Sequence, residues 1–290
     1  MFTIMRKGAF LLLATMLAST VMAQNPVAFQ FYNAKGKKAD FKDIIKSTEE
    51  ADVLLFGEYH NSSICHWLQL ELTASLGEKR DLVLGAEMFE TDDQIVVNEY
   101  LADFIKLDHL KKEAKVWPNF ETDYLPLVEY AKANKLPFIA TNVPRRYASL
   151  VSKKGIAALD SLSEAAKSLM PKLPYEVTIN DPGYIEMREM MGMHMQHGID
   201  NFIAAQALKD YTMAHNIYQN LPEKGLFIHY NGSFHSQNFA GIYNYLKNLN
   251  QDLNINTIAI VEGDVNEYNE EWNGLGDFIL VVPENMTKTH

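Results

Sequence analysis

Short apolar runs, helix-periodic segments between them, and chemistry-bearing residues just after the runs predict an α/β fold: a largely parallel sheet flanked by helices, with a helical insertion between the third and fourth strands. The runs span residues 52–56, 81–85, 136–140, 225–230, 256–261 and 278–282. Each is rich in Val, Ile, Leu or Phe and has the length of a strand buried on both faces. Between the first two, Ile64, Trp67, Leu68, Leu72 and Leu76 recur at helical spacing behind the capping residues Asn61-Ser62-Ser63. The stretch from Pro144 to Leu221 holds no convincing strand and reads as several helices, a cap over the sheet spanning about 144–221. Residues 24–290 are expected to form a single domain carrying this cap.

With 47% hydrophobic residues, 15 Gly and 10 Pro, the chain is neither disordered nor fibrous. Its N-terminus predicts export. Arg6-Lys7 precedes the apolar run Gly8 to Leu17 and the small-residue site Val21-Met22-Ala23, the pattern of a signal peptide over residues 1–23 cleaved after Ala23. The run is shorter than the roughly 20 residues a bilayer requires. The product is expected in the periplasm or outside the cell. No cysteine lies near the cleavage site to accept lipid, and Cys65, the sole cysteine, excludes an internal disulfide. Without Arg6 and Lys7 the 26 basic side chains become 24 against 37 acidic ones, a net charge of about −13. That excess argues against nucleic acid and anionic membrane surfaces as partners.

In open α/β sheets ligands bind beyond the carboxyl ends of the strands. The first predicted strand runs into Gly57-Glu58-Tyr59-His60, the second into Ala86-Glu87-Met88-Phe89, the third into Thr141-Asn142-Val143-Pro144-Arg145, and the fourth into Asn231-Gly232-Ser233-Phe234-His235. Two of these share Gly-x-x-His, where the glycine permits a sharp departure from the strand and the histidine turns back over the sheet edge. Glu58, His60, Glu87 and His235 are therefore candidate ligands of a divalent metal. Whichever of Glu58 and Glu87 is not a ligand is a candidate general base, and Arg145 is placed to steady a developing negative charge. The alternative for Arg145 is a surface ion pair, as Arg146 lies beside it.

These segments, with His66 and Gln69, Glu87-Met88-Phe89, Asn142-Val143-Pro144-Arg145, Ala205-Gln206, Asp210 and Met213-Ala214, follow one another in an order that resembles ChaN-like proteins. These belong to the haem-binding uptake and Tiki superfamily, which also resembles the erythromycin esterases and TraB-type proteins. The resemblance covers about residues 52–246. It implies an α/β fold with a helical insertion, a site built on the two Gly-x-x-His segments, and a role in haem or iron acquisition. Tiki-like relatives are viewed instead as metal-dependent proteases, and the esterase relatives as hydrolases using His and Glu. Three departures stand out: there is no lipid-accepting cysteine, Asn61 stands where many relatives have Asp, and Ser233-Phe234 replaces a smaller Asn-Gly. Phe234 either narrows the crevice or packs into the sheet edge.

Met187, Met190, Met191 and His194 have i, i+3, i+4, i+7 spacing, and His197 continues the same side of a helix. A thioether-rich face with imidazoles suits haem or a soft copper ion, with His194, His197 or Tyr184 as axial ligand of a haem; the alternative is a Met-rich helix packed in the core. Gln206 and Asp210, four apart, share a helical face. With Asn231 they are expected to orient a site histidine, although Lys209 is an available partner for Asp210. His66 is expected to face away from His60 as a structural or rim residue, and His229 is expected to be a core histidine.

The leading expectation is an exported haem-binding protein of iron acquisition, with haem or a small molecule as ligand, a homodimer and outer-membrane uptake components as partners, and no nucleic acid. The rivals are a metal-dependent hydrolase using Glu58, His60, Glu87 and His235, and a catalytically silent interaction protein.

Overall fold

The computed structural model describes residues 25–172, 181–192 and 198–290. The predicted signal peptide, His194 and His197 lie outside the described residues. The strands are β1 (Gln30–Asn33), β2 (Lys38–Ala39), β3 (Val53–Glu58), β4 (Leu82–Glu90), β5 (Phe138–Asn142), β6 (Leu226–Gly232), β7 (Ile255–Glu262) and β8 (Phe278–Val282). The helices are α1 (Phe41–Ser47), α2 (Ser63–Gly77), α3 (Gln94–Leu101), α4 (Leu107–Glu113), α5 (Leu125–Asn134), α6 (Arg145–Lys154), α7 (Glu164–Lys167), α8 (Pro182–Gly192), α9 (Ile199–Gln219) and α10 (Ile242–Leu249).

All the strands join one sheet in the order β2-β1-β8-β7-β3-β6-β4-β5. From β8 to β5 every pairing is parallel, whereas β1 runs antiparallel to both β2 and β8. The antiparallel pair at this edge has no counterpart among the predicted runs. Its strands of four and two residues are too short for the alternation of side chains to register as a pattern.

The apolar runs read as doubly buried strands because both sheet faces are covered. Along β3, Leu54 and Phe56 join the core beneath α2 and α5, while Val53 and Leu55 join the core beneath α9 and α10. Successive strand side chains point to opposite faces, so continuous burial demands a continuous apolar run. The segment between β5 and β6 is helical, as expected, but its longest helix is more than a cap. Met213, Ala214 and Ile217 of α9 pack directly against the sheet with Val53, Leu55 and Phe227.

The chain order creates the crevice. After β5 the chain returns to insert β6 between β3 and β4, then crosses to the other side of β3 to form β7. The carboxyl ends of β3, β4 and β6 therefore stand side by side at the reversal, where loops diverge and leave room for a ligand.

Candidate functional site

Glu58 is the last residue of β3 and is aligned with Gly232, the last of β6. Glu87 lies in an irregular stretch of β4, where the register against β5 shifts between Ala86 and Glu90. Such a break re-aims side chains, and here it turns Glu87 toward the β6 end. Its Oε2 accepts from Gly232 N at 2.8 Å, and its Oε1 lies 3.2 Å from His235 Nε2. His235 Nδ1 is bonded to Asp210 Oδ1, and Asp210 Oδ2 accepts from Tyr184 Oη at 2.6 Å.

A second chain of contacts supports His60. Its Nδ1 is 2.9 Å from Glu58 Oε1, which also accepts from Tyr124 Oη at 2.6 Å, while Glu58 Oε2 accepts from Gln69 Nε2 at 2.8 Å. Trp117 meets the His60 ring edge to face, with centroids 4.8 Å apart. The side chain of His60 is 43% exposed, whereas that of Glu58 is buried. His60 thus presents a free Nε2 to the cavity and spends Nδ1 on an anchored carboxylate.

The glycines of the two Gly-x-x-His segments act by closeness, not by a left-handed turn. A Cβ on Gly57 would meet Ile258 O at 3.0 Å, and one on Gly232 would stand 2.9 Å from His60 Cε1 and 3.0 Å from its Nε2. Neither has a positive φ. The absence of a side chain lets the His60 ring lie on the end of β6.

Burial opposes charge at each group, and the neighbours decide the outcome. It pushes the Glu58 carboxyl up, but the His66 and His60 imidazoles and the Tyr124 hydroxyl more than offset this, leaving Glu58 below its ordinary value. Burial likewise raises Glu87, yet His235 above all holds it far below the carboxylate range. Desolvation would neutralise His235, but Glu87 and Asp210 outweigh it and raise its pKa to about 10. His60 is also raised: burial acts against its charge, while Glu58 and Glu87 favour it more strongly. His229, fully buried between Thr141 Oγ1 at 2.8 Å and Asn231 Oδ1 at 3.0 Å, has no such acid in contact, and burial lowers it to about 4.

The structure brings Glu58, His60, Glu87, Gln206 and His235 to the wall of one cavity of about 710 Å³, with Lys209, Met187 and Phe234. Phe234 is 44% exposed and narrows the crevice instead of packing into the sheet. Asp210 orients His235, whereas Asn231 sits deeper, holding His229 and the β6 turn through Ser236. Arg145 is exposed and lines a smaller neighbouring cavity.

Three expectations change. Tyr184 is not poised as a cofactor ligand: it is buried, and its hydroxyl is bound to Asp210, with burial keeping its pKa well above the ordinary value. His66 does not face away from the site. It is buried beneath His60, its Nε2 3.1 Å from the His60 carbonyl oxygen and its Nδ1 3.8 Å from Glu58 Oε2. The proposed metal set does not fit a metal. Among the described residues no group of three or more His, Cys, Asp or Glu side chains is arranged to hold one. Both ring nitrogens of His235 are turned to carboxylates, Nε2 to Glu87 and Nδ1 to Asp210.

Sequence reasoning did not anticipate Tyr124, Trp117 or Asn119. The first belongs to a π-helical turn, Phe120–Tyr124, and Asn119 Nδ2 donates to the His60 carbonyl at 2.7 Å. Their one signal was a polar-aromatic segment, Trp117 to Tyr124, without clear periodicity.

An open α/β sheet with a histidine-acid crevice at its topological reversal defines a ligand-binding or catalytic protein of the doubly wound type. The chain belongs to the haem-binding uptake, Tiki superfamily, ChaN family, whose model matches residues 44–246. Its fold is similar to that of ChaN of Campylobacter jejuni, which binds haem cofacially, with a TM-score of 0.66 at 18% identity over 89% of this chain and 98% of that one. A Bacillus cereus protein shares the fold at a TM-score of 0.51 and 9% identity, over 88% of this chain and 95% of that one. The chloroplastic protein RETICULATA-RELATED 5 of Arabidopsis thaliana is 26% identical over 173 residues, 54% of this chain, and the chain spans 23% of the length of that curated relative.

Proposed function

We propose that this protein is an exported haem-binding protein serving haem or iron acquisition. The observation that carries the reading is the His60 ring: its Nε2 opens onto a cavity of about 710 Å³ while Glu58 and Tyr124 anchor its other side. Cavities of roughly 300–1,000 Å³ accept ligands of cofactor size. With Nδ1 donating to Glu58, the neutral ring carries its lone pair on Nε2, the form an axial ligand requires, and the carboxylate behind it raises its basicity. Met187 and Phe234 supply a thioether and an aromatic face for a flat macrocycle. Haem, when bound, supplies an iron centre whose reactivity follows from its axial ligand and the polarity of the pocket. Export rests on the predicted signal peptide, and homodimerisation and outer-membrane uptake partners complete the reading.

Titration of the protein from Gln24 onward with haemin tests this. A saturable Soret shift, lost in His60→Ala, is expected; unsaturable absorbance sinks the reading.

A second reading, hydrolysis, is favoured by one observation: an anchored imidazole, His60, and a protonated one, His235, line the same cavity as a base and an acid. Turnover of ester or peptide substrates in the presence of a chelator should vanish in His60→Gln, and undiminished turnover in that variant would exclude it.

A further inference from the structure

The antiparallel edge of the sheet carries a second cavity, of about 410 Å³, that shares no lining residue with the one at His60. Its walls are aromatic. Phe29 and Phe31, just before and within β1, are two residues apart, so their rings fall on one side of the strand. Phe41 opens α1, and Trp67 comes from the second turn of α2. Gln69, two residues further along α2, points the other way and holds Glu58, so the helix serves the two cavities with different faces.

The rings are set as the sides of a box, not as a stack. Phe29 meets Phe31 at 74° and Trp67 at 71°, with centroids 5.8 and 6.0 Å apart, and Phe31 meets Phe41 at 60° and 5.8 Å. Phe31 is buried and forms the floor, whereas Trp67 is 47% exposed. A cluster that served only to cover the sheet edge would not leave its largest ring half in water. The charged residues of the wall are both acids, Asp40 and Glu71. Asp40 Oδ1 caps α1 by accepting from Lys42 N and Asp43 N, and Glu71 Oε1 accepts from Trp67 Nε1 at 3.2 Å, which leaves Oδ2 of the one and Oε2 of the other. Among the described residues neither acid has an ion-pair partner. No Lys or Arg among them stands over these four rings either: the cation–π contacts are Lys132 with Tyr100 and Arg146 with Tyr147.

We propose that this aromatic box binds a small soluble quaternary ammonium compound, a trimethylammonium head on a short polar arm. The ring faces carry the negative part of the aromatic quadrupole, and Asp40 and Glu71 supply the remaining counter-charge. A primary ammonium is strongly hydrated and gives up that shell reluctantly. A trimethylated head presents an apolar surface with its charge beneath, which is what four rings and two carboxylates complement. The site stands apart from the His60 cavity and does not depend on what that cavity holds.

The test is a calorimetric titration with choline and with its uncharged carbon isostere, in which a tert-butyl group replaces the trimethylammonium. It is run on the wild type, Trp67→Leu, Glu71→Gln and the double variant, with circular dichroism confirming folding. The wild type is expected to bind choline saturably and to prefer it to the isostere by about tenfold, the size of a desolvated cation–π contact. The preference should shrink in each single variant, more in Trp67→Leu than in Glu71→Gln, fall to near unity in the double variant, and persist in Trp67→Phe. Equal wild-type affinity for the two compounds makes the cavity merely apolar and overturns the proposal, as does a preference that survives the double change or the lack of saturable choline binding. Retention on phosphatidylcholine vesicles without affinity for free choline overturns it too, since the head group would then belong to a lipid.

Discussion

The ring of His60 occupies the space that a side chain on Gly232 would fill, with the position of a Cβ there only 2.9 Å from Cε1 of the ring. Two loops that are distant in sequence therefore meet through a missing side chain. Gly232→Ala should push His60 out of its seat. Because the neighbour is a half-exposed ring and not backbone, the fold should tolerate the change. The expected result is a loss of haemin affinity of about tenfold or more with a melting temperature lowered by only a few degrees, read by Soret titration and calorimetry.

Glu58 shifts the His60 equilibrium toward the charged form against the cost of burial. In Glu58→Gln the imidazole loses its main support, so its pKa should fall below the wild-type value. The raised value means that the stabilisation from charged His60 is complete below the ordinary 6.5 and fades as pH rises through the folded value. Proton NMR titration of the His60 ring in both proteins checks this, and an unchanged midpoint would remove Glu58 from its assigned role.

His235 sets the alkaline limit. Its folded value of about 10 exceeds the ordinary 6.5, so its contribution is whole below 6.5 and is lost as pH climbs through about 10. Glu87 has the opposite sense: held low, it stabilises above its ordinary 4.5, and the benefit goes as pH falls through its folded value. His229, lowered to about 4, also stabilises above 6.5 and loses this between 6.5 and 4, as the unfolded chain takes up the proton first. Melting temperature against pH should therefore be a plateau with both shoulders. Asp210→Asn should lower the plateau and flatten the alkaline shoulder.

Tyr184 supports Asp210 and thereby His235. Tyr184→Phe leaves a buried carboxylate oxygen without its donor, at a cost of about 1–3 kcal/mol in stability by denaturant melting. The visible spectrum of the haemin complex should be unchanged. An altered Soret band in this variant would restore the tyrosine as an iron ligand.

Much of this is legible in the sequence. The doubly buried strands announce themselves because apolar runs are what burial on two faces requires, and the strand-end rule pointed to Glu58, His60, Glu87 and His235 as neighbours. The short antiparallel pair at the sheet edge was silent, and His66 was misplaced. Ser62 caps α2 and turns the chain back, so that His66 lies beneath the first histidine.

By itself the sequence determined which residues are buried in strands, where the strands end, and that imidazoles and carboxylates gather at those ends, because each of these follows from local periodicity and local backbone preference. Only the tertiary structure decided what those groups do to one another. Inserting β6 between β3 and β4 puts Glu87 against His235 and Gly232 beneath His60, and burial at that junction turns ordinary acids and bases into ion pairs in place of metal ligands. Coulombic coupling depends on separations of a few ångströms in a desolvated pocket, and these distances are set by how the strands are ordered in space.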